Sequence, residues 1–189
     1  MPTTNSLDQL TLQSLQRCLT RVSGISSGTW RAACAAPYPG GPADALKQYE
    51  AAATAVYLRL EGLPLFALML INPDELECVS LAFTGHSFPR GQGVNSADQV
   101  MLSELGNILL NAMLNPLINA VKKSAMPSLP RFFEGPAAEL AAELAALPGP
   151  GVPLRVVPAG IALECRGAFA SVRLFAFLPE DYALQIERA

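Results

Sequence analysis

Hydrophobic and polar positions along this chain follow two periods, and the switches between them mark out its elements. From Thr54 to Glu61, Val56, Leu58 and Leu60 alternate with Tyr57, Arg59 and Glu61, the two-residue repeat of a strand with one buried face. Leu65 to Ile71 is apolar throughout and suits a central strand. Ile161 to Arg166 and Phe169 to Phe177 read as two more strands, joined at Gly167. Elsewhere the period is helical. One long helix is predicted over Leu7 to Val22, and a second begins near Ser96. At about 100° per residue, the second gathers Met101, Leu102, Leu105, Leu109, Ala112 and Met113 on one side, and Ser103, Glu104, Asn107, Asn111 and Asn115 on the other. Asn72 reads as the cap of another helix, with Pro73 first, Glu75 completing a capping box and Gly85 closing it. Pro136 to Leu147 is a short Ala-rich helix ended by Gly149 and Pro150, and Ala35 to Ala43 is a mobile loop.

The pattern is written twice. The stretch from Asn5 to Leu15 aligns with that from Asn95 to Leu105 at an offset of 90, with six of eleven pairs identical. In each copy a Ser (Ser6, Ser96) precedes a Gln by three residues and Asp sits in the first turn, so both copies start helices. Leu58 to Gly62 resembles Leu163 to Gly167, and Pro73 and Pro179 follow at an offset of 106, so the second half carries an insertion of 16 residues. Two copies at so long a period do not make a solenoid. They predict one domain over residues 1–189, with pseudo-symmetric halves near 5–94 and 95–189. The expected fold is α+β, with two layers: a mostly antiparallel sheet, and long helices packed against it and exposed on one face.

Composition narrows the function. The chain has 189 residues, 51% of them hydrophobic and 15% charged, enough for one well-packed core. Net charge is −3 with no basic cluster, which leaves nucleic acid without an electrostatic footprint. The N-terminal stretch is polar, and the longest apolar run is too short to span a bilayer, so the expectation is a cytoplasmic protein with no membrane partner. Cys18, Cys34, Cys78 and Cys165 lie far apart and His86 is the single histidine. Free thiols are expected, with no metal and no cofactor of the chain's own. His86 belongs to a surface loop from Gly85 to Pro89, and no nucleophile turn accompanies it.

Candidate chemistry concentrates on the second long helix. Glu104 and Asn107, three residues apart, project from one face. Their stripe holds one carboxylate and three amides, with no Lys or Arg before Lys122. A solvated face ordinarily mixes Lys and Glu, and amides are mediocre helix formers, so the stripe points to recognition or chemistry. The alternative is a solvated face with capping asparagines near a kink at Pro116.

Glu104-x-x-Asn107 early in a long helix, with Leu105-Gly106-Asn107-Ile108 inside it and Pro130 after 22 further residues, resembles the signature of the CheC/CheX/FliY family of chemotaxis phosphatases. Ala55 to Gly62, the strand ending at Pro73-Asp74-Glu75, the duplication and the final strand pair fit the same pattern, so the resemblance covers most of the chain. It implies a pseudo-twofold domain with its two long helices side by side, acting on the aspartyl phosphate of a CheY-type receiver. Catalysis falls to Glu104 and Asn107. Ser103, Asn111, Asn115 and Pro130 are candidates for partner contact, and Mg2+ belongs to the partner. The family often has Asp or Ser four residues before the Glu, where this chain has Val100. Ser14 and Arg17 stand where the first copy would carry its own acid and amide, which resembles a one-site, CheX-like member. A non-enzymatic FliM-like rotor module, an adaptor without activity, and a homodimer through strand pairing stay open.

Overall fold

The computed structural model of the chain describes residues 6–24, 26–49, 52–87 and 93–188. Its helices are α1 (Leu7–Ser23), α2 (Pro42–Leu46), α3 (Leu76–Thr84), α4 (Ser96–Ala120), α5 (Ala137–Ala145) and α6 (Glu180–Glu187). Its strands are β1 (Thr29–Cys34), β2 (Tyr38–Pro39), β3 (Ala52–Arg59), β4 (Phe66–Ile71), β5 (Arg131–Pro136), β6 (Leu154–Cys165) and β7 (Ala168–Pro179). They form one sheet in the order β1-β6-β7-β4-β3-β5, with β2 added on β6, and every strand pairing is antiparallel. Exchanging β1 with β5, β3 with β6 and β4 with β7 makes the order read the same from the opposite edge.

The central position of β4 explains its unbroken apolar run: all six residues are buried. On one face of the sheet, α1, α3, α4 and α6 press Leu15, Val79, Leu105 and Ile186 onto Val56, Met69, Ile161 and Leu174. On the other, the short helices α2 and α5 press Leu46, Leu140 and Leu144 onto Phe66, Leu68 and Phe177, with Phe66 and Phe177 stacked at 4.7 Å. The class is α+β as expected, but the expected two layers become three where α2 and α5 cover the sheet. The same cover corrects the reading of β3. Its residues are buried on both faces from Ala53 to Leu58, and the Tyr57 hydroxyl donates to Glu143 of α5 rather than to solvent.

Local differences have local causes. Within the expected mobile loop, Tyr38 and Pro39 pair with Val156 and Arg155, and Pro42 opens α2. Asn72 Oδ1 accepts from the Asp74 amide, but the turn it caps, Pro73–Glu75, is a 3-10 turn ahead of α3. Glu75 completes no box, because its carboxylate accepts from the Ser171 backbone and hydroxyl. Gly85 ends α3 in the left-handed region, at φ 77°. The β6–β7 hairpin turns through Arg166 and Gly167, both left-handed at φ 51° and 79°, as a two-residue loop requires. His86 is exposed as expected, while Phe88 and Pro89 of its loop lie outside the described residues.

Candidate functional site

The 25 residues of α4 form the platform. Its start lies one residue earlier than the Ser96–Gln99 spacing suggests. Asn95 Oδ1 accepts from the Asp98 amide at 2.9 Å and Asp98 Oδ2 accepts from the Asn95 amide at 3.1 Å, a reciprocal box. The helix runs on through Pro116 to Ala120. Met101, Leu102, Leu105, Leu109 and Met113 are buried beneath it, which leaves the polar stripe facing outward. Gly106 sets the height of the helix over the sheet. A Cβ there would lie 2.6 Å from Val56 Cγ1, 3.0 Å from Val56 Cβ and 3.2 Å from Met69 Cε, so only glycine lets α4 approach β3 this closely.

Glu104 is exposed, Asn107 half-buried, and Glu104 makes no ion pair among the described residues. Both line a shallow cleft of about 540 Å³, whose α4 side also carries Val100 and Ser103 and whose far wall is Leu129, Pro130 and Phe132. That wall is pinned to the end of β3. The Glu61 amide donates to Met126 O and the Ser128 amide to Arg59 O, each at 2.8 Å, and Leu60 bridges Pro127. Backbone hydrogen bonds therefore hold Pro130 beside Glu104 and Asn107, although 22 residues separate it from Asn107 in the chain.

The structure divides the residues that the sequence grouped. Ser103 and Pro130 join Glu104 and Asn107 in the first cleft. Asn111 and Asn115 line a second, of about 570 Å³, between α4 and α1, facing Ser14, Arg17 and Arg21. Asn111 connects the two. Its Nδ2 donates to Asn107 O at 2.7 Å and to Asn107 Oδ1 at 2.9 Å. Cys18 lines the second cleft; burial raises its thiol pKa, and Arg21 offsets this only in part. Burial likewise pushes Cys34 up to about 11. Neither is an activated thiolate, and all four cysteines are free.

Sequence reasoning did not find the apolar rim. Val100 is 68% exposed and Leu129 86%, and they stand on opposite walls of the first cleft. Exposed apolar side chains grouped around a polar pair mark a contact surface better than scattered ones do. The signal for Val100 was its place one turn before Glu104. Leu129 carries none, because it lies in an irregular segment ahead of β5. Among the described residues no helix is long and apolar enough to cross a membrane, and no three His, Cys, Asp or Glu side chains converge on a metal position.

A single antiparallel sheet with a palindromic strand order, packed against two adjacent long helices, defines the class of domain. No family model matches the sequence, and no curated protein does. Solved structures match the fold. FliY from Thermotoga maritima aligns over 100% of this chain and 97% of its own, with TM-score 0.67 and 11% identity. The FliM middle domain from H. pylori aligns over 98% and 96%, with TM-score 0.63 and 8% identity. The chemotaxis protein CheX from Vibrio vulnificus aligns over 90% and 98%, with TM-score 0.50 and 11% identity. The chain has the fold of the CheC/CheX/FliY family.

Proposed function

We propose that this protein is a phosphatase that accelerates loss of phosphate from the aspartyl phosphate of a CheY-type receiver. One observation carries the reading. Glu104 and Asn107 stand one turn apart on the outward face of a deeply seated helix, in a cleft rimmed by exposed apolar side chains. This arrangement suits insertion into another protein's pocket better than enclosure of a small molecule, because the cleft is shallow and open to solvent.

The reaction needs a water in line with the scissile P–O bond. The water oxygen bonds to phosphorus, the bond to the aspartyl oxygen breaks, and aspartate and inorganic phosphate leave, with the water's protons passing to phosphate and solvent. Asn107 holds that water. Its carboxamide can accept one hydrogen and donate another, so it acts by orientation and needs no shifted pKa. Glu104 pairs with the receiver's active-site Lys and fixes the docking register by a charge-assisted bond. The Mg2+ of the reaction is the receiver's. Val100 occupies the family's Asp or Ser position with an apolar side chain at the cleft rim, where it adds contact area rather than a polar partner.

Glu104→Ala tests the docking role. Loss of a charge-assisted bond should weaken affinity for a beryllofluoride-loaded receiver by about tenfold or more and lower kcat/KM with it. An unchanged dissociation constant would remove Glu104 from docking.

A second reading is a non-catalytic docking module. It is favoured by the rim of Val100 and Leu129, and by the likeness to FliM, a protein solved in complex with FliG. On that reading the apolar rim dominates affinity, and the acid–amide pair can be replaced without consequence.

A further inference from the structure

We infer that Asn111 is a positioning residue for Asn107, fixing which atom of the Asn107 carboxamide faces the cleft. The inference rests on the phosphatase reading above and assigns Asn111 to the reaction rather than to partner contact.

The argument is a chain of hydrogen-bond polarities. A main-chain carbonyl can only accept. The Asn111 atom 2.7 Å from Asn107 O is therefore the amide nitrogen. That nitrogen also lies 2.9 Å from the Asn107 side chain, so the Asn107 atom it meets is the oxygen, since two amide nitrogens would present hydrogens to each other. Turning the Asn107 amide over would break this bond. Asn107 Nδ2 is thus directed away from Asn111, and Oδ1 keeps a second lone pair for a water. An amide free to flip would divide its time between a productive and an unproductive face; this one is held in a single orientation before any partner arrives.

A second observation shows that stability alone does not account for Asn111. Its own Oδ1 is buried and finds no hydrogen-bond partner among the described residues. A buried acceptor without a donor penalises the fold, and asparagine is a poorer helix former than leucine. A residue serving only the packing of α4 on α1 would be apolar here.

Asn111→Leu keeps the branching and the number of side-chain heavy atoms, and removes both the hydrogen bonds and the unpaired oxygen. The expected result is a split. Turnover of a saturating phosphorylated CheY-type receiver falls about tenfold, affinity for the beryllofluoride-loaded receiver stays within about twofold, and the melting temperature equals or exceeds that of the unaltered protein. Asn111→Ala, smaller and equally without an amide, should give the same loss of turnover at unchanged affinity. Unaltered turnover in both variants, or turnover that falls only as far as the folded fraction does, overturns the positioning role and leaves the phosphatase reading standing. Absence of turnover in the unaltered protein overturns both.

Discussion

Asn107→Ala should slow phosphate loss from a saturating receiver complex by about 10²-fold, the scale of a lost positioning group, while affinity and melting temperature stay near those of the unaltered protein. The split follows from where Asn107 sits. It is half-buried at the cleft and lies outside the core that anchors α4, so truncation opens no internal cavity. Alanine is the better helix former, which offsets the loss of one bond from Asn111. The receiver would still meet Glu104 and the rim of Val100 and Leu129. Binding without turnover is thus the signature, read by single-turnover phosphate release alongside a titration with the beryllofluoride-loaded receiver. Wild-type turnover in this variant would count decisively against water positioning. Equal loss of affinity and rate would assign Asn107 to docking instead.

Gly106→Ala carries the largest expected effect on the fold. On helix propensity alone this change should stabilise α4 by about 1 kcal/mol. The new methyl, however, would sit 2.6 Å from Val56 Cγ1 and 3.0 Å from Val56 Cβ. Val56 is a β-branched residue fixed on a buried strand, so it has no flexible end to yield. Overpacking of this kind costs about 1–3 kcal/mol, and the net change should be destabilising. Denaturant unfolding measures it. The double variant with Val56→Ala should be less destabilised than the sum of the singles, because the second change makes room for the first. Additive effects, or a more stable Gly106→Ala protein, would show that α4 does not rest this closely on β3. The same glycine links fold to function, since lifting α4 would move Asn107 relative to the pinned wall at Pro130.

Much of this architecture was legible because the periods were strong. The two long helices, the buried run of β4 and the β6–β7 hairpin at Gly167 all follow from hydrophobic spacing and turn chemistry. What escaped were elements whose signal is tertiary. β1 and β5 are the edge strands, and their residues alternate weakly because each edge is only partly covered. α2 has five residues, too few to show a helical period. β3 looked half-buried because Tyr57 and Arg59 are polar, yet α5 covers Tyr57 and supplies Glu143 to its hydroxyl. The placement of Glu104 and Asn107 as neighbours on one face follows from their spacing, and the outward direction of that face from the apolar residues gathered opposite. The separation of Asn111 from that cleft could not, because it depends on α1 closing a groove over that part of α4.

The most direct test mixes the unaltered protein with a phosphorylated CheY-type receiver and follows inorganic phosphate release as the protein concentration rises. The account predicts a release rate that climbs well above the receiver's own hydrolysis and saturates, with the plateau lost in Asn107→Ala. A rate that stays at the receiver's own value at every concentration, while the complex demonstrably forms, would contradict it.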